Sequence, residues 1–378
     1  MRTGIQLRRV SVLALAVAIL LAVAPSASAK KVTRATTGPN PFVGVVSDDT
    51  FAALGAGSQS YLNTIAGARV GLLRQKFDWD FLTHNAQAGG LNWLFLDRFM
   101  TATAQAGITV MPVLFDPPAS MTTAPPGGGL RGNYPPKDLG AIGDFGAQLA
   151  ARYGTHGTFW AENPGLPRLP ITAWQIWNEP NIPVYWQPRP NPAAYVQMLR
   201  LASQKIKAVD PNAEIVSAGI PDTHIKGATP LAKFLKSMYK AGAAGAFDTL
   251  AVNGYAPTGK GVVKLISEIR KAVDKYGGTG EALRVTEFGW ADWGPEPKKG
   301  RFTVGAKKQA LYTAQAIKGL WKARFKLNLR GIVYYAWRDE TVYSGGKDFW
   351  GLHTGLLNLN GQSKPALSAF RSAVASLH

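Results

Sequence analysis

ITAWQIWNEPN, residues 171–181, is the stretch on which the fold turns. Its opening residues are mostly apolar or aromatic and read as a short β-strand. It closes with Asn178, Glu179, Pro180 and Asn181. Pro180 cannot donate to a sheet ladder, so the strand is expected to stop there and leave Glu179 at its mouth. On its own, a Glu before a Pro reads as a surface carboxylate. The alternative is a carboxylate placed for chemistry, with Asn178 beside it as a neutral donor for a hydroxyl. The rest of the chain has to decide between them.

Seven other runs have the same character: residues 42–47, 68–74, 108–115, 214–219, 247–253, 282–288 and 331–337. Helical periodicity fills the intervals, at about 57–66, 93–106, 138–153, 192–208, 230–241, 261–275 and 304–325, and a last helix is expected at 364–377. Strands separated by helices pair in parallel through right-handed crossovers. Eight such units predict an α/β fold, a (β/α)8 TIM barrel, as a single domain over residues 42–378. A doubly wound open sheet is the rival. It usually opens with a glycine-rich phosphate loop, and no G-x-G-x-x-G follows the first strand here. Residues 119–137, rich in Pro and Gly, and residues 338–362, rich in Gly and aromatics, are expected to be long loops that shape a cleft.

The totals set the context. The chain has 378 residues, 46% hydrophobic and 17% charged, a globular composition. Arg2, Arg8 and Arg9, an apolar run at 10–24 and an A-x-A site at 27–29 resemble a secretory signal cut after Ala29. A twin-arginine signal is the minor route. The run is shorter than the roughly 20 residues of a membrane span, so no stable membrane anchor is expected. Residues 30–41 read as a polar linker. Removing the signal leaves 39 Lys and Arg against 23 Asp and Glu, a charge of +16 in place of +19. This excess reads as a solvated basic face with weak attraction to anionic surfaces. Its denser patches are at 298–301 and 318–330. No nucleic-acid-binding motif accompanies it, and a monomer is expected. With no cysteine, a secreted chain must rely on its core. No H-E-x-x-H and no G-x-S-x-G is present, so neither a metal site, another cofactor nor a serine nucleophile is expected.

In such a barrel the C-terminal ends of the strands line one mouth. The polar or aromatic residues ending these strands are Asp48 and Asp49, Arg74, Asp116, Asn178 and Glu179, Asn253 and Tyr255, Glu287, and Trp337. Two are glutamates, on strands four and seven, placed to face each other across the mouth. Two opposed carboxylates are the minimal kit for glycoside hydrolysis: one protonated to release the leaving oxygen, one charged to attack the anomeric carbon.

At this point WQIWNEPN, residues 174–181, resembles the acid/base motif of clan A glycoside hydrolases, and VTEFGW, residues 285–290, resembles that clan's nucleophile motif. The resemblance spans nearly the whole mature chain through the strand order, with families 5 and 39 nearest. It implies Glu179 as the general acid/base and Glu287 as the nucleophile. It further implies Asn178 on the sugar 2-hydroxyl, Arg74 and Tyr255 supporting the nucleophile, and Trp337 as the aromatic floor beneath the sugar. Asn253 stands where many relatives have histidine, which alters the expected network of the first subsite. Trp290 and Trp293 read either as sugar platforms or as loop anchors. Asp78 and Asp116 read as structural or rim residues.

The expectation is a secreted retaining β-glycosidase acting on oligo- or polysaccharides by double displacement. A carbohydrate-binding protein on a silent barrel and a transglycosylase are the alternatives. The glycan itself is not specified, although the basic charge favours an anionic one.

Overall fold

In the computed structural model, which describes residues 38–47, 58–84, 90–126, 133–296, 302–342 and 346–378, eight strands close on one another in chain order. They are β1 (Asn40–Val46), β2 (Val70–Asp78), β3 (Thr109–Phe115), β4 (Ala173–Ile176), β5 (Glu214–Val216), β6 (Thr249–Asn253), β7 (Ala282–Glu287) and β8 (Leu329–Tyr334). All neighbours pair in parallel, and β1 closes the ring on β8. The expected signal, the linker through residue 37, Asp48, Asp49 and the basic residues 298–301 lie outside the described residues. Residues 40 and 41, expected in the linker, already belong to β1.

Ten described helices accompany the strands: α1 (Ser58–Gly67), α2 (Trp79–His84), α3 (Trp93–Gln105), α4 (Ala141–Tyr153), α5 (Thr158–Glu162), α6 (Pro192–Val209), α7 (Leu231–Lys240), α8 (Gly259–Lys275), α9 (Ala306–Ala323) and α10 (Pro365–Ala375). Their starts follow from local chemistry. Asn191 accepts from Ala194 N at 3.1 Å while Pro192 occupies the first turn, where no N–H is needed. Asn92 and Thr258 cap α3 and α8 in the same way. The short α2 and α5 carry too few residues to show a period, and the pattern does not reveal them.

Strand alternation divides the core into two layers. Val46, Leu72, Met111, Ala173, Val216, Ala251 and Val333 form a cluster inside the barrel, with Tyr335 packed on it. The much larger layer between strands and helices holds Trp174, Trp177, Phe288, Tyr334 and Trp337 among others. Below the inner cluster, Glu214 pairs with Arg330 at 3.2 Å and Arg284 at 3.5 Å, which closes the far end of the barrel with charge.

Candidate active site

β4 is shorter than its sequence suggests. It ends at Ile176, and the chain turns before Pro180 is reached, through positive φ at Trp177 (74°) and Glu179 (42°). Such values cost a non-glycine residue on the order of 1 kcal/mol or more, and they collect at functional sites. The turn is held by Trp177 N donating to Leu114 O at 3.1 Å and Glu179 N donating to Gly219 O at 3.2 Å. It delivers the Glu179 side chain into the mouth.

Arg74, on β2, is the hub. It donates from Nη1 to Glu287 Oε1 at 2.7 Å, from Nη2 to Asn178 Oδ1 at 2.9 Å, and from Nε to Gln175 Oε1 at 2.7 Å. Arg74 and Glu287 are 5% and 7% exposed, so water screens this ion pair little. Tyr255 donates to the second Glu287 oxygen, Oε2, at 2.7 Å. Both oxygens of Glu287 are therefore fixed by donors from two different strand ends. Burial first, then the Glu287 charge, pushes the Tyr255 phenol well above its ordinary value and keeps it a donor. Because Arg74 occupies Asn178 Oδ1, the Asn178 amide NH2 is the part left to face the mouth.

Among the described residues, Glu179 accepts one side-chain hydrogen bond, from Asn253 Nδ2 to its Oε1 at 2.7 Å. Asn253 is fully buried, and its Oδ1 accepts from Thr286 Oγ1 at 2.9 Å, which fixes which way the amide points. Gly219 makes room for it: a Cβ there would sit 2.1 Å from Asn253 Oδ1. Asn253 was expected among substrate contacts. Its burial assigns it instead to holding Glu179. The Glu179 carboxyl is pushed up to about 8, by burial first and by the Glu287 charge second, against a lowering by the Asn253 bond.

Two tryptophans do not reach the mouth. Trp337 is fully buried and belongs to the layer between strands and helices; it lies beyond the end of β8 at Tyr334, where strand alternation no longer sets the side. The residue that points inward is Tyr335, half-buried on the inner cluster. Trp290 is also fully buried, with Nε1 donating to Ala256 O at 2.8 Å, which makes it a loop anchor. Trp293 is 54% exposed and leans on the His353 ring at 3.9 Å.

Residues from the loops complete one side of the mouth, and strand-end logic does not find them. The Trp350 ring meets Tyr255 edge-on at 5.1 Å and stacks on Phe302 at 4.6 Å. Lys364 Nζ, bonded to Asp292 at 2.6 Å and Asp339 at 2.7 Å, ties the loops after β7 and β8 together behind these rings. On the other side, Lys76 pairs with Asp116 at 2.9 Å and Asp78 at 3.1 Å, the structural role expected for both acids. Among the described residues, no group of three or more His, Asp or Glu is placed to hold a metal ion. A cavity of about 620 Å³ on the outer wall is lined by Asp97, Arg152 and Glu162, whose charges are spent on one another.

No protein-family model matches the sequence, and neither does any curated protein. Solved structures do resemble the fold. A monomeric β-xylosidase from Caulobacter crescentus aligns at 20% identity and TM-score 0.64, over 90% of this chain and 70% of its own. A GH39 β-xylosidase from the same organism aligns at 23% and 0.61, over 92% and 74%. An endo-β-1,4-mannanase from Thermotoga petrophila aligns at 14% and 0.57, over 89% and 76%. The chain shares the barrel fold of these structures.

Proposed function

We propose that the chain is a secreted, retaining β-glycosidase that works as a monomer on oligo- or polysaccharides, with Glu287 as nucleophile and Glu179 as general acid and base. The observation that carries this reading is the contrast between the two carboxylates. Glu287 has a buried guanidinium on one oxygen and a phenol on the other. Glu179 is pushed up to about 8 by burial and by the Glu287 charge. Two carboxyl groups in one site with opposite environments are the acid and base assignments of glycoside hydrolysis. The likeness to xylosidase and mannanase barrels supports the substrate class.

In the first step Glu287 attacks the anomeric carbon while protonated Glu179 gives its proton to the departing glycosidic oxygen. In the second, ionised Glu179 takes a proton from water, and that water displaces Glu287 from the sugar. The Asn178 amide donates to the sugar 2-hydroxyl, and Tyr335 lies under the ring. The test is turnover on a panel of aryl β-glycosides and neutral or acidic polysaccharides, with products sized. Hydrolysis of at least one substrate is expected; affinity without turnover on every member would leave a carbohydrate-binding barrel, and longer products would mean transglycosylation.

Two substitutions test the local assignments. Asn253→Ala removes a bond that favours ionised Glu179, so the alkaline limb of kcat/KM should move to higher pH. A limb that stays in place or moves down contradicts the role given to Asn253. Tyr335→Ala should raise KM by about tenfold with little loss of stability, the size of one ring contact. Trp337→Ala should instead cost about 3 kcal/mol or more of stability, because it empties a packed layer. Chemical denaturation beside steady-state kinetics separates the two, and the opposite pattern would restore Trp337 as the floor.

A further inference from the structure

The positive charge of this protein is not spread over its surface. Residues 36–230 contain 13 Lys and Arg and 13 Asp and Glu, and are neutral. Residues 231–378 contain 23 against 10. The whole imbalance sits on three segments, 231–240, 259–275 and 306–330, with 15 basic side chains and two acidic ones. These are α7, α8, and α9 with the turn that follows it, together with the first two residues of β8, where Arg330 pairs with Glu214 at the far end of the barrel. They are neighbours on the outer wall: Gly259 of α8 abuts Tyr312 O of α9, and Gly319 of α9 abuts Val263 of α8.

Thirteen of the 15 basic side chains are exposed; Arg270 is buried and Arg324 half-buried. Lys264 pairs with Glu268 at 3.8 Å and Arg330 with Glu214 at 3.2 Å; the other exposed ones make no ion pair among the described residues. On α9, Lys307, Leu311, Gln315, Lys318 and Lys322 fall at intervals of three and four and share one face. From 306 to 330 the sequence has no acid at all. Folding gains nothing from such a surface, since like charges side by side on helices repel.

The same face carries apolar surface. Phe325 is 82% exposed and Leu311 52%. Arg324 lies 3.6 Å over the Trp321 ring and 4.2 Å from that of Phe325, holding the aromatic in place. A partner for this wall must bear repeated negative charge and also offer apolar patches.

We infer that α7, α8 and α9 form a docking surface for a linear, carboxylate-bearing polysaccharide, separate from the catalytic mouth. A uronate chain has the required chemistry: a carboxylate on each sugar for the lysines, and C–H ring faces for Phe325 and Leu311. A flexible chain can follow three helices around a convex wall, whereas a flat bilayer meets such a wall along one helix at a time. The mouth lies at the strand ends, so a protein held by its side wall keeps its cleft open. The inference concerns binding alone and does not depend on the catalytic roles above.

The full chain is titrated into fluorescently labelled polygalacturonate, with neutral dextran as reference. Binding to polygalacturonate alone is expected, and it should weaken about tenfold or more between 50 and 200 mM salt. K307E/K318E/K322E/K326E should lose about tenfold or more in Kd. R98E/K137E/R168E/R200E makes the same change in net charge on the neutral half and should lose less than about threefold. Circular dichroism confirms that both are folded. If the first does not fold, K318A/K322A should still show a loss of about threefold that the pair K137A/R168A does not. Equal losses in the two halves, binding that ignores salt, or no binding would each overturn the inference. So would tighter binding to vesicles containing phosphatidylglycerol, which would make the wall a lipid-binding surface.

Discussion

Glu287→Ala is expected to abolish turnover of β-glycosides, by at least about 10⁴-fold in kcat, the scale of losing a covalent nucleophile. The geometry also predicts what survives. The variant removes a carboxylate that bonds Arg74 and Tyr255 but leaves Glu179 and Asn253 in place. A small anion such as azide can enter the vacated space and attack the anomeric carbon of an activated aryl β-glycoside. No covalent enzyme intermediate forms, so one displacement occurs in place of two, and the product is an α-glycosyl azide. Recovery of that compound, in proportion to azide, is the expected result. A variant with unchanged activity, or one rescued as the β-azide, would take the nucleophile role from Glu287. Arg74 is left with an unpaired buried charge in this variant, so a loss of stability of a few kcal/mol should accompany the lost activity.

Glu179→Gln has an expected effect of opposite sign on stability. The unfolded chain ionises this carboxyl near 4.5, the folded protein near about 8. Below pH 4.5 both states hold the proton and nothing is lost. As pH rises, the unfolded state gains by releasing the proton while the folded state cannot, so stability falls until pH 8 is passed. At pH 7 the cost is on the order of 3 kcal/mol. Glutamine has nearly the same shape, carries no charge and still offers an oxygen to Asn253. The variant should therefore match the wild type in thermal stability at pH 4 and exceed it by about a few degrees at pH 7.5. Its activity should fall about 10² to 10⁴-fold on substrates that need a proton on the leaving group, and far less on activated aryl glycosides. Equal melting temperatures at both pH values would mean that Glu179 is not held in the environment described. A site that destabilises the fold at the pH where it works is a common trade between stability and activity.

Much of this was legible in the sequence, for reasons that particular residues show. The eight strands announce themselves because both faces of a parallel barrel strand are buried, so runs such as residues 109–115 are almost continuously apolar. Glu179 and Glu287 stand out because each interrupts such a run where it ends. The side on which a strand-end residue falls was harder to see. Trp337 is larger and more conspicuous than Tyr335, yet two places earlier in the same run the tyrosine points inward. Counting alternation along β8 from Val333, an interior residue, reaches Tyr335 but would give Trp337 the same side; Trp337 departs from the pattern because β8 ends at Tyr334.

Asn253 was visible as a departure from histidine, but its partners Gly219 and Thr286 come from β5 and β7 ends that only the closed ring brings together. Trp350 and Phe302 come from long loops whose paths no local pattern encodes. The basic wall lay in plain view as a count of charges. Its concentration on three adjacent helices became meaningful once their packing was known.

The account rests on two glutamates acting in succession on one sugar. The most direct measurement is proton NMR of the first product released from an aryl β-glycoside, taken before the free sugar equilibrates between anomers. Double displacement at Glu287 with Glu179 as acid and base predicts the β-anomer first, with the α-anomer growing in later by mutarotation. Initial release of the α-anomer would contradict it, because it would mean that water, and not Glu287, attacks the sugar.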